Sequence, residues 1–198
     1  CQLMGAGMAF AWNDLSLINL ANGHLVEDVK LGLDLCQQGK PPAFCPEALV
    51  TSQFPLSEQG LNSQRTRWEH GHLGLMLADA PKRAMAAITQ RNASLAALTL
   101  DLLVPPLALL VLALLGLNLV TWLAYLLFGL AVPARLAFTG LALLAFAVVL
   151  AWARFCREVI PFSVLLYAPF YAARKIPLYL SFLIKRQVEW VRSKRDDD

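Results

Sequence analysis

Three side chains in the first half of the chain are spaced so that one helix would present them on the same side. Gln64, Arg67 and Trp68 stand at positions i, i+3 and i+4, and residues so spaced are neighbours on a helix surface. A guanidinium fork matches phosphate oxygens, and an indole offers a flat apolar face with a polar edge. The three together predict a surface for a sugar phosphate. The competing interpretation is an exposed amphipathic helix with a half-buried tryptophan.

Two adjacent carboxylates, Glu27 and Asp28, come earlier in the chain. They open a segment that we expect to be helical to about Gln38, with Gly39 just beyond its end. Asp28 would then lie in the first turn, where the helix dipole stabilises a carboxylate. The apolar positions that repeat on one face of this helix are Val29, Leu33 and Cys36.

The chain before these carboxylates reads as a glycine-rich turn and a short helix. Residues 5–10 predict a turn that leads into an extended segment. Asn13 or Asp14 is suited to cap a helix that would reach about Leu20.

Short strands and a longer helix are expected between the carboxylates and the apolar half. Residues 43–45 and 49–52 predict two short strands separated by a proline turn. Residues 63–80 predict a helix that stops at Pro81. Helices mixed with short strands predict an α/β fold class for this part.

The second half has the composition of a membrane protein. The chain is 58% apolar and 16% charged, against about 25% charged in soluble domains. Residues 102–132 and 136–153 carry no charge, and about 20 helical residues span a bilayer. With a polar turn at 131–135, this pattern predicts a transmembrane helical hairpin. Two buried helices of a large soluble protein are the alternative. A net charge of +3 is too weak to indicate a nucleic-acid partner.

Basic residues set the expected orientation of the hairpin. Those that flank it are Lys82, Arg83, Arg91, Arg154 and Arg157. Its connecting turn has only Arg135. Because positive residues favour the inner side of a membrane, residues 1–92 and 157–198 are expected in the cytoplasm, at the inner or plasma membrane.

The segment after the hairpin is broken by prolines. They are Pro161, Pro169 and Pro177. Because proline interrupts a helix, short helices that lie in the membrane interface are expected here. A third span through about 160–183 is the alternative, and Arg174 and Lys175 near its middle argue against it.

Two motifs in this order resemble a known family. Glu27-Asp28, then Gln64-x-x-Arg67-Trp68, then a membrane hairpin resemble the C-terminal half of membrane-embedded family 2 glycosyltransferases of the GT-A type, the relatives of cellulose and hyaluronan synthases. The resemblance implies an α/β GT-A portion over 1–92, a transmembrane hairpin over 93–156, and interfacial helices with a charged tail over 157–198.

The resemblance also implies a reaction and roles for single residues. It implies inverting transfer of a sugar from a nucleotide-diphosphate donor to a growing polysaccharide or a glycolipid, with Asp28 as the catalytic base. The residues that it assigns to substrate binding are Glu27, Gln64, Arg67, Trp68, Gly7 and Met8. Gly7 and Met8 belong to a segment that looks like the acceptor side of the family's site. Val26 stands where the family often has threonine.

The resemblance implies a divalent metal, Mg²⁺ or Mn²⁺, for the whole enzyme. The family's Asp-x-Asp ligands lie in an N-terminal half, and no such pair stands near a predicted strand of this chain. Since the chain opens on Cys1, we expect a fragment whose N-terminal half, a partner in the same protein, carries the metal site. The other expected partners are the nucleotide-sugar donor, a glycan or lipid-linked acceptor, and membrane lipid.

Other interpretations remain beside this one. His70 and His72 are two residues apart, so a helix would not place them on one face and no metal site is predicted; either could line a donor pocket. A non-catalytic, membrane-anchored binding or assembly subunit would keep the same fold. A channel or transporter would need several chains to associate, because two spans cannot build one.

Overall fold

The computed structural model describes residues 1–16, 18–20, 23–53 and 57–186. Two compact units form. The first comprises Cys1–Pro105 with residues 184–186, and the second is Pro106–Leu183.

The described residues of the first unit form four main helices. They are α1 (Trp12–Leu15), α2 (Glu27–Gln37), α3 (Glu58–Thr89) and α4 (Ala93–Leu102). Helix α2 packs against α3 and α4, and α3 packs against α4. The side chains most fully buried in this core include Leu33, Cys36, Leu75, Leu95 and Leu102. Helix α4 therefore belongs to this core, although its residues fall inside the 93–156 stretch predicted as hairpin.

Four charged side chains join α2 to α3. Lys30 lies 3.1 Å from Asp34 and 3.9 Å from Asp79. Arg83 lies 3.7 Å from Asp79 and donates to the Asp34 carboxylate and the Gln37 amide. The charged side chains are only 12–18% exposed. This group, the α2–α3 ion-pair cluster, is thus largely withdrawn from water and fixes how the two helices lie on each other.

Asn92 joins three helices at the α3–α4 junction. Its side-chain oxygen caps α4 by accepting from the Leu95 N–H at 3.0 Å. Its Nδ2 donates to the Cys36 carbonyl, near the end of α2, at 2.8 Å. This one amide satisfies backbone groups that helix ends leave without partners.

The second unit is a helical hairpin followed by short helices. Its elements are α5 (Leu107–Phe128), α6 (Ala131–Ala151), a π-helical turn (Trp152–Cys156), α7 (Phe162–Leu166), α8 (Ala168–Arg174) and α9 (Ile176–Ile184). Helices α5 and α6 pack together, and α8 packs on α5.

Two helices of this unit are long and apolar enough to cross a membrane. They are Leu107–Phe128 and Ala131–Cys156, with mean hydropathies of 2.4 and 2.3. Only 6% of the most apolar window of each is buried, whereas a core helix of a soluble protein would be mostly buried.

The α/β fold class is not confirmed, because the described residues contain helices and turns but no strand. The strands predicted at 43–45 and 49–52 are not formed. Phe44 and Leu49 in these segments are 76% and 88% exposed. A strand pair alone is marginal in water, and no described segment extends this one.

The helix predicted to stop at Pro81 continues through it. Helix α3 replaces the predicted 63–80 and ends at Thr89. An internal proline costs about 3 kcal/mol. Ala80 and Ala87, on either side of Pro81, are 1% and 5% exposed, so packing of both halves against the core offsets that cost.

The predicted capped helix near the start is a single turn, α1. Its N-cap is Ala11 rather than Asn13 or Asp14 and supplies no side-chain hydrogen bond. Leu17 lies outside the described residues, and the described residues that follow it are not helical. None of α1 is buried, so neither a cap nor packing offsets the cost of starting a longer helix.

The turn of the hairpin comes earlier than predicted. Gly129 ends α5 with φ +71°, and residues 131–135 are the first turn of α6. Pro133 fits there because the first N–H groups of a helix need no intrahelical partner. The stretch 160–183 is broken into α7, α8 and α9 rather than forming one span, and Pro161, Pro169 and Pro177 each stand at or near a helix start, as predicted.

Candidate functional site

Asp28 lies in the first turn of α2, as predicted. Leu25 and Val26, which precede the helix, are 8% and 6% exposed and anchor its start in the core. The Asp28 Oδ1 accepts from the Val29 N–H at 2.8 Å. A carboxylate at this position also interacts favourably with the helix dipole.

The glycine-rich segment lies against this carboxylate. Gly5 has φ +75°, and a Cβ there would lie 3.4 Å from the Asp28 Oδ2. Gly7 has φ +73°, and a Cβ there would lie 2.8 Å from the Val50 Cγ2. Both glycines therefore adopt a left-handed backbone conformation that residues with a Cβ rarely adopt. Met8, which follows directly, is half-buried.

Helix α3 lies against the segment that leads into α2 at Gly71. A Cβ on Gly71 would lie 2.8 Å from the Val26 Cγ1 and 3.0 Å from the Leu25 Cβ. Only a glycine lets the α3 backbone come this near. The contact lies one helical turn beyond Arg67 and directly before Asp28, so it brings the two predicted motifs together.

The charges of the two motifs act on each other. Burial raises the pKa of Asp28, and the hydrogen bond from the Val29 N–H opposes that effect. The neighbouring Glu27 carboxylate raises the Asp28 pKa further, and the Arg67 guanidinium lowers it. An opposite charge has this effect only at short range. Together with the Gly71 contact, this is consistent with the Arg67 charge lying near Asp28, which is 39 positions earlier in the chain (67 − 28).

The predicted stripe of three side chains stands on an unbroken helix. Residues 64–68 lie well inside α3, so Gln64, Arg67 and Trp68 share one side of it. Gln64 is half-buried, and the Trp68 side chain remains 42% exposed. An ordinary amphipathic helix would also have these exposures. What distinguishes α3 from such a helix is its close contact, at Gly71, with the segment that leads into Glu27 and Asp28.

Two glycines that shape the site were missing from the predicted site residues. Gly5 stood in the predicted 5–10 turn but was not assigned to the site, and Gly71 was not singled out. The sequence did hold a signal for Gly71, since a glycine inside a helix costs about 1 kcal/mol relative to alanine and so indicates a close approach of backbone.

The histidines of α3 have structural partners. The His72 Nε2 lies 3.1 Å from the Val104 carbonyl, to which it donates. His70 is 2% exposed. Neither observation supports a role in lining a donor pocket.

The described part of the chain does not fit the divalent metal that the family resemblance implies. It contains no group of three or more histidine, cysteine, aspartate or glutamate side chains that could hold an ion.

The comparison with known families agrees with the two converging motifs. The family model described as glycosyl transferase family group 2 matches residues 1–185, a stretch that includes both motifs and the hairpin. No curated protein and no solved structure matches the chain significantly. A match over nearly the whole chain shows the family, and the chain belongs to glycosyl transferase family group 2.

Proposed function

We propose that this chain is part of an inverting glycosyltransferase in which Asp28 is the catalytic base. The acceptor hydroxyl oxygen attacks the anomeric carbon of a nucleoside-diphosphate sugar. The bond from that carbon to the diphosphate breaks, and its electron pair leaves with the diphosphate. The hydroxyl proton passes to the Asp28 carboxylate. The observation that carries this proposal is the close contact of Gly71 in α3 with Val26, just before α2. It brings the helix that carries Arg67 onto the start of the helix that carries Asp28, and base and leaving-group site must lie close together.

Arg67 is proposed to stabilise the departing diphosphate. Its guanidinium carries a permanent charge in a geometry that fits phosphate oxygens. Gln64 stands one turn away on the same side of α3 and would hydrogen-bond beside it. Placing a fixed positive charge where negative charge develops is usually the largest contribution to such catalysis.

The acceptor sugar is proposed to bind at Trp68. The exposed indole offers a flat surface to the C–H face of a pyranose. Glu27, which is exposed beside Asp28, would accept hydrogen bonds from sugar hydroxyls. Gly7 and Met8 would border the acceptor, and their segment lies against Asp28 through Gly5.

The two apolar helices are proposed to cross the cell membrane with the first unit in the cytoplasm. Their length, hydropathy and uncovered faces support this, and so does the excess of basic residues outside the hairpin turn. Short helices α7 to α9 would lie in the inner interface. The acceptor would then be a growing polysaccharide or a glycolipid at the inner leaflet.

The test is sugar transfer by the whole membrane-bound protein carrying Asp28→Asn. We expect transfer to fall by a factor of about 100 or more, as general-base removal does, while UDP, used as a probe of donor binding, still binds. Asp14→Asn is the matched control, because Asp14 lies in an exposed ion pair with Lys40, and it should leave transfer unchanged.

Two outcomes would contradict the proposal. Unchanged transfer in Asp28→Asn would reject Asp28 as the base. A protein that binds UDP but transfers none of a panel of nucleoside-diphosphate sugars, in its native membrane, would favour the non-catalytic binding or assembly subunit.

A further inference from the structure

A groove of about 930 Å³ opens between α5 and α6 within the second unit. Its walls are Asn118, Leu119, Trp122, Tyr125, Ala131, Ala134, Arg135, Phe138 and Thr139. No step of the proposed sugar transfer uses any of these residues. Apolar side chains and aromatic rings dominate the walls, and one permanent cation stands among them.

Arg135 is the cation of this groove, and the hairpin holds no carboxylate to neutralise it. Between residues 102 and 157 the sequence contains no aspartate or glutamate. Arg135 stands in the first turns of α6, so its Cα lies about 6 Å along the helix from the turn. In a membrane-spanning hairpin that is the depth of the lipid headgroups.

The amide of Asn118 and the hydroxyl of Thr139 already bond to the hairpin's own backbone. The Asn118 Nδ2 donates to the Leu114 and Ala137 carbonyls at 2.8 and 3.0 Å. The Thr139 hydroxyl donates to the Arg135 carbonyl at 2.8 Å. The donor groups of these two side chains are thus already used, and the Arg135 guanidinium is the charged group of the groove.

The aromatic residues indicate the depth of the groove in a bilayer. The rings of Trp122 and Tyr125 are 5.6 Å apart, and both lie within two helical turns of the end of α5. Tryptophan and tyrosine favour the membrane–water interface. Asn118 lies about 15 Å from that helix end, so the groove extends from headgroup depth toward the bilayer centre.

We infer that this groove binds one anionic phospholipid, with its phosphate on the Arg135 guanidinium and an acyl chain along the apolar wall. Guanidinium and phosphate form the charge-assisted pair that geometry favours. Because the first unit is proposed to lie in the cytoplasm, the hairpin turn and Arg135 lie at the outer leaflet, and the lipid would belong to that leaflet. The inference rests on the part of the proposed function in which the hairpin crosses a bilayer.

The test uses quenching of Trp122 fluorescence by brominated lipids. The whole protein is reconstituted in phosphatidylcholine vesicles that contain either dibrominated phosphatidylglycerol or dibrominated phosphatidylcholine. The signal lost in Trp122→Phe identifies the contribution of this residue. We expect Trp122 to be quenched at about fivefold lower mole fraction by the anionic lipid.

Matched variants test whether Arg135 causes the preference for anionic lipid. Arg135→Gln should abolish it and Arg135→Lys should keep part of it. Arg154→Gln should leave it intact, because Arg154 stands over the Phe155 ring beyond the far end of α6. An excess of inorganic phosphate should not reduce the preference, since free phosphate has no acyl chain to occupy the groove.

Several outcomes would overturn the inference. They are equal quenching by the two lipids, a preference that survives in Arg135→Gln, a preference removed by inorganic phosphate, and no quenching of Trp122 by either lipid, which would mean that protein covers the groove. Sugar transfer and resistance to carbonate extraction are measured in parallel. Absent sugar transfer with the lipid preference intact would count against the proposed sugar transfer alone. Extraction by carbonate would contradict the proposed membrane crossing and, with it, this inference.

Discussion

The two units of this protein are held in different ways. In the first unit, close contacts join residues far apart in sequence, such as Gly71 with Val26 and Arg83 with Asp34. In the hairpin, helices adjacent in sequence pack side by side and most of their surface stays uncovered. A small change in side-chain size or charge should therefore lower stability more in the first unit than the same change does in the hairpin.

Loss of the α2–α3 ion-pair cluster should have the largest effect on stability. Arg83→Gln leaves two largely buried carboxylates, Asp34 and Asp79, with Lys30 as the one cation of the cluster, which costs up to about 3 kcal/mol. Lys40→Gln removes a pair whose lysine is 60% exposed and should cost less than about 1 kcal/mol. The temperature at which each detergent-solubilised variant loses half its soluble fraction measures this. Equal shifts would mean that the cluster is not a structural clamp.

Matched glycine substitutions compare the two units directly. Gly71→Ala places a methyl 2.8 Å from the Val26 Cγ1, and such overpacking costs about 1–3 kcal/mol. It should also reduce sugar transfer, because it moves α3 away from Asp28. In α5, Gly116→Ala meets nothing within 4 Å and should be neutral or gain up to about 1 kcal/mol. The same melting assay and the transfer rates measure these effects. If Gly71→Ala changed neither stability nor transfer, that result would contradict the close approach of α3 to Val26.

The pH dependence of transfer should shift in opposite directions in two variants. A base must be ionised, so the acidic limb of kcat/KM follows the pKa of Asp28. Glu27→Gln removes a charge that raises this pKa, so the limb should move to lower pH. Arg67→Gln removes a charge that lowers it, so the limb should move to higher pH, by less. Profiles of kcat/KM from pH 4 to 9 give the position of the acidic limb separately from any overall loss of rate. Shifts of the same sign would exclude the proposed base.

We expect the smallest effect on stability from the side-chain amide of Asn118, which joins α5 to α6. Asn118→Leu removes its bond to the Ala137 carbonyl, which within a membrane is worth about 0.6 kcal/mol. The counterpart in the first unit, Asn92→Ala, loses a helix cap and the bond to Cys36 and should cost about 1–2 kcal/mol. If Asn118→Leu lowered the melting temperature more than Asn92→Ala does, that result would contradict the contrast between the two units.

Much of the local structure could be predicted from the sequence. Helix α2, its carboxylate at the first turn and Gly39 beyond its end follow from apolar spacing and capping. The tail was expected to break into short helices at its prolines, and it does. The strands at 43–45 and 49–52 and the stop at Pro81 were wrong, because strand formation depends on a partner and proline's cost depends on packing; neither can be read from a local window.

The sequence by itself determined which side chains the candidate site has and which helices are apolar enough to cross a membrane, since both follow from residue type and spacing along one helix. Only the tertiary structure decided that Arg67 acts on Asp28, that Gly5 lies against the same carboxylate, and that Gly71 brings α3 onto the start of α2. These are contacts between segments distant in the chain. They depend on how the helices pack, which no local pattern encodes.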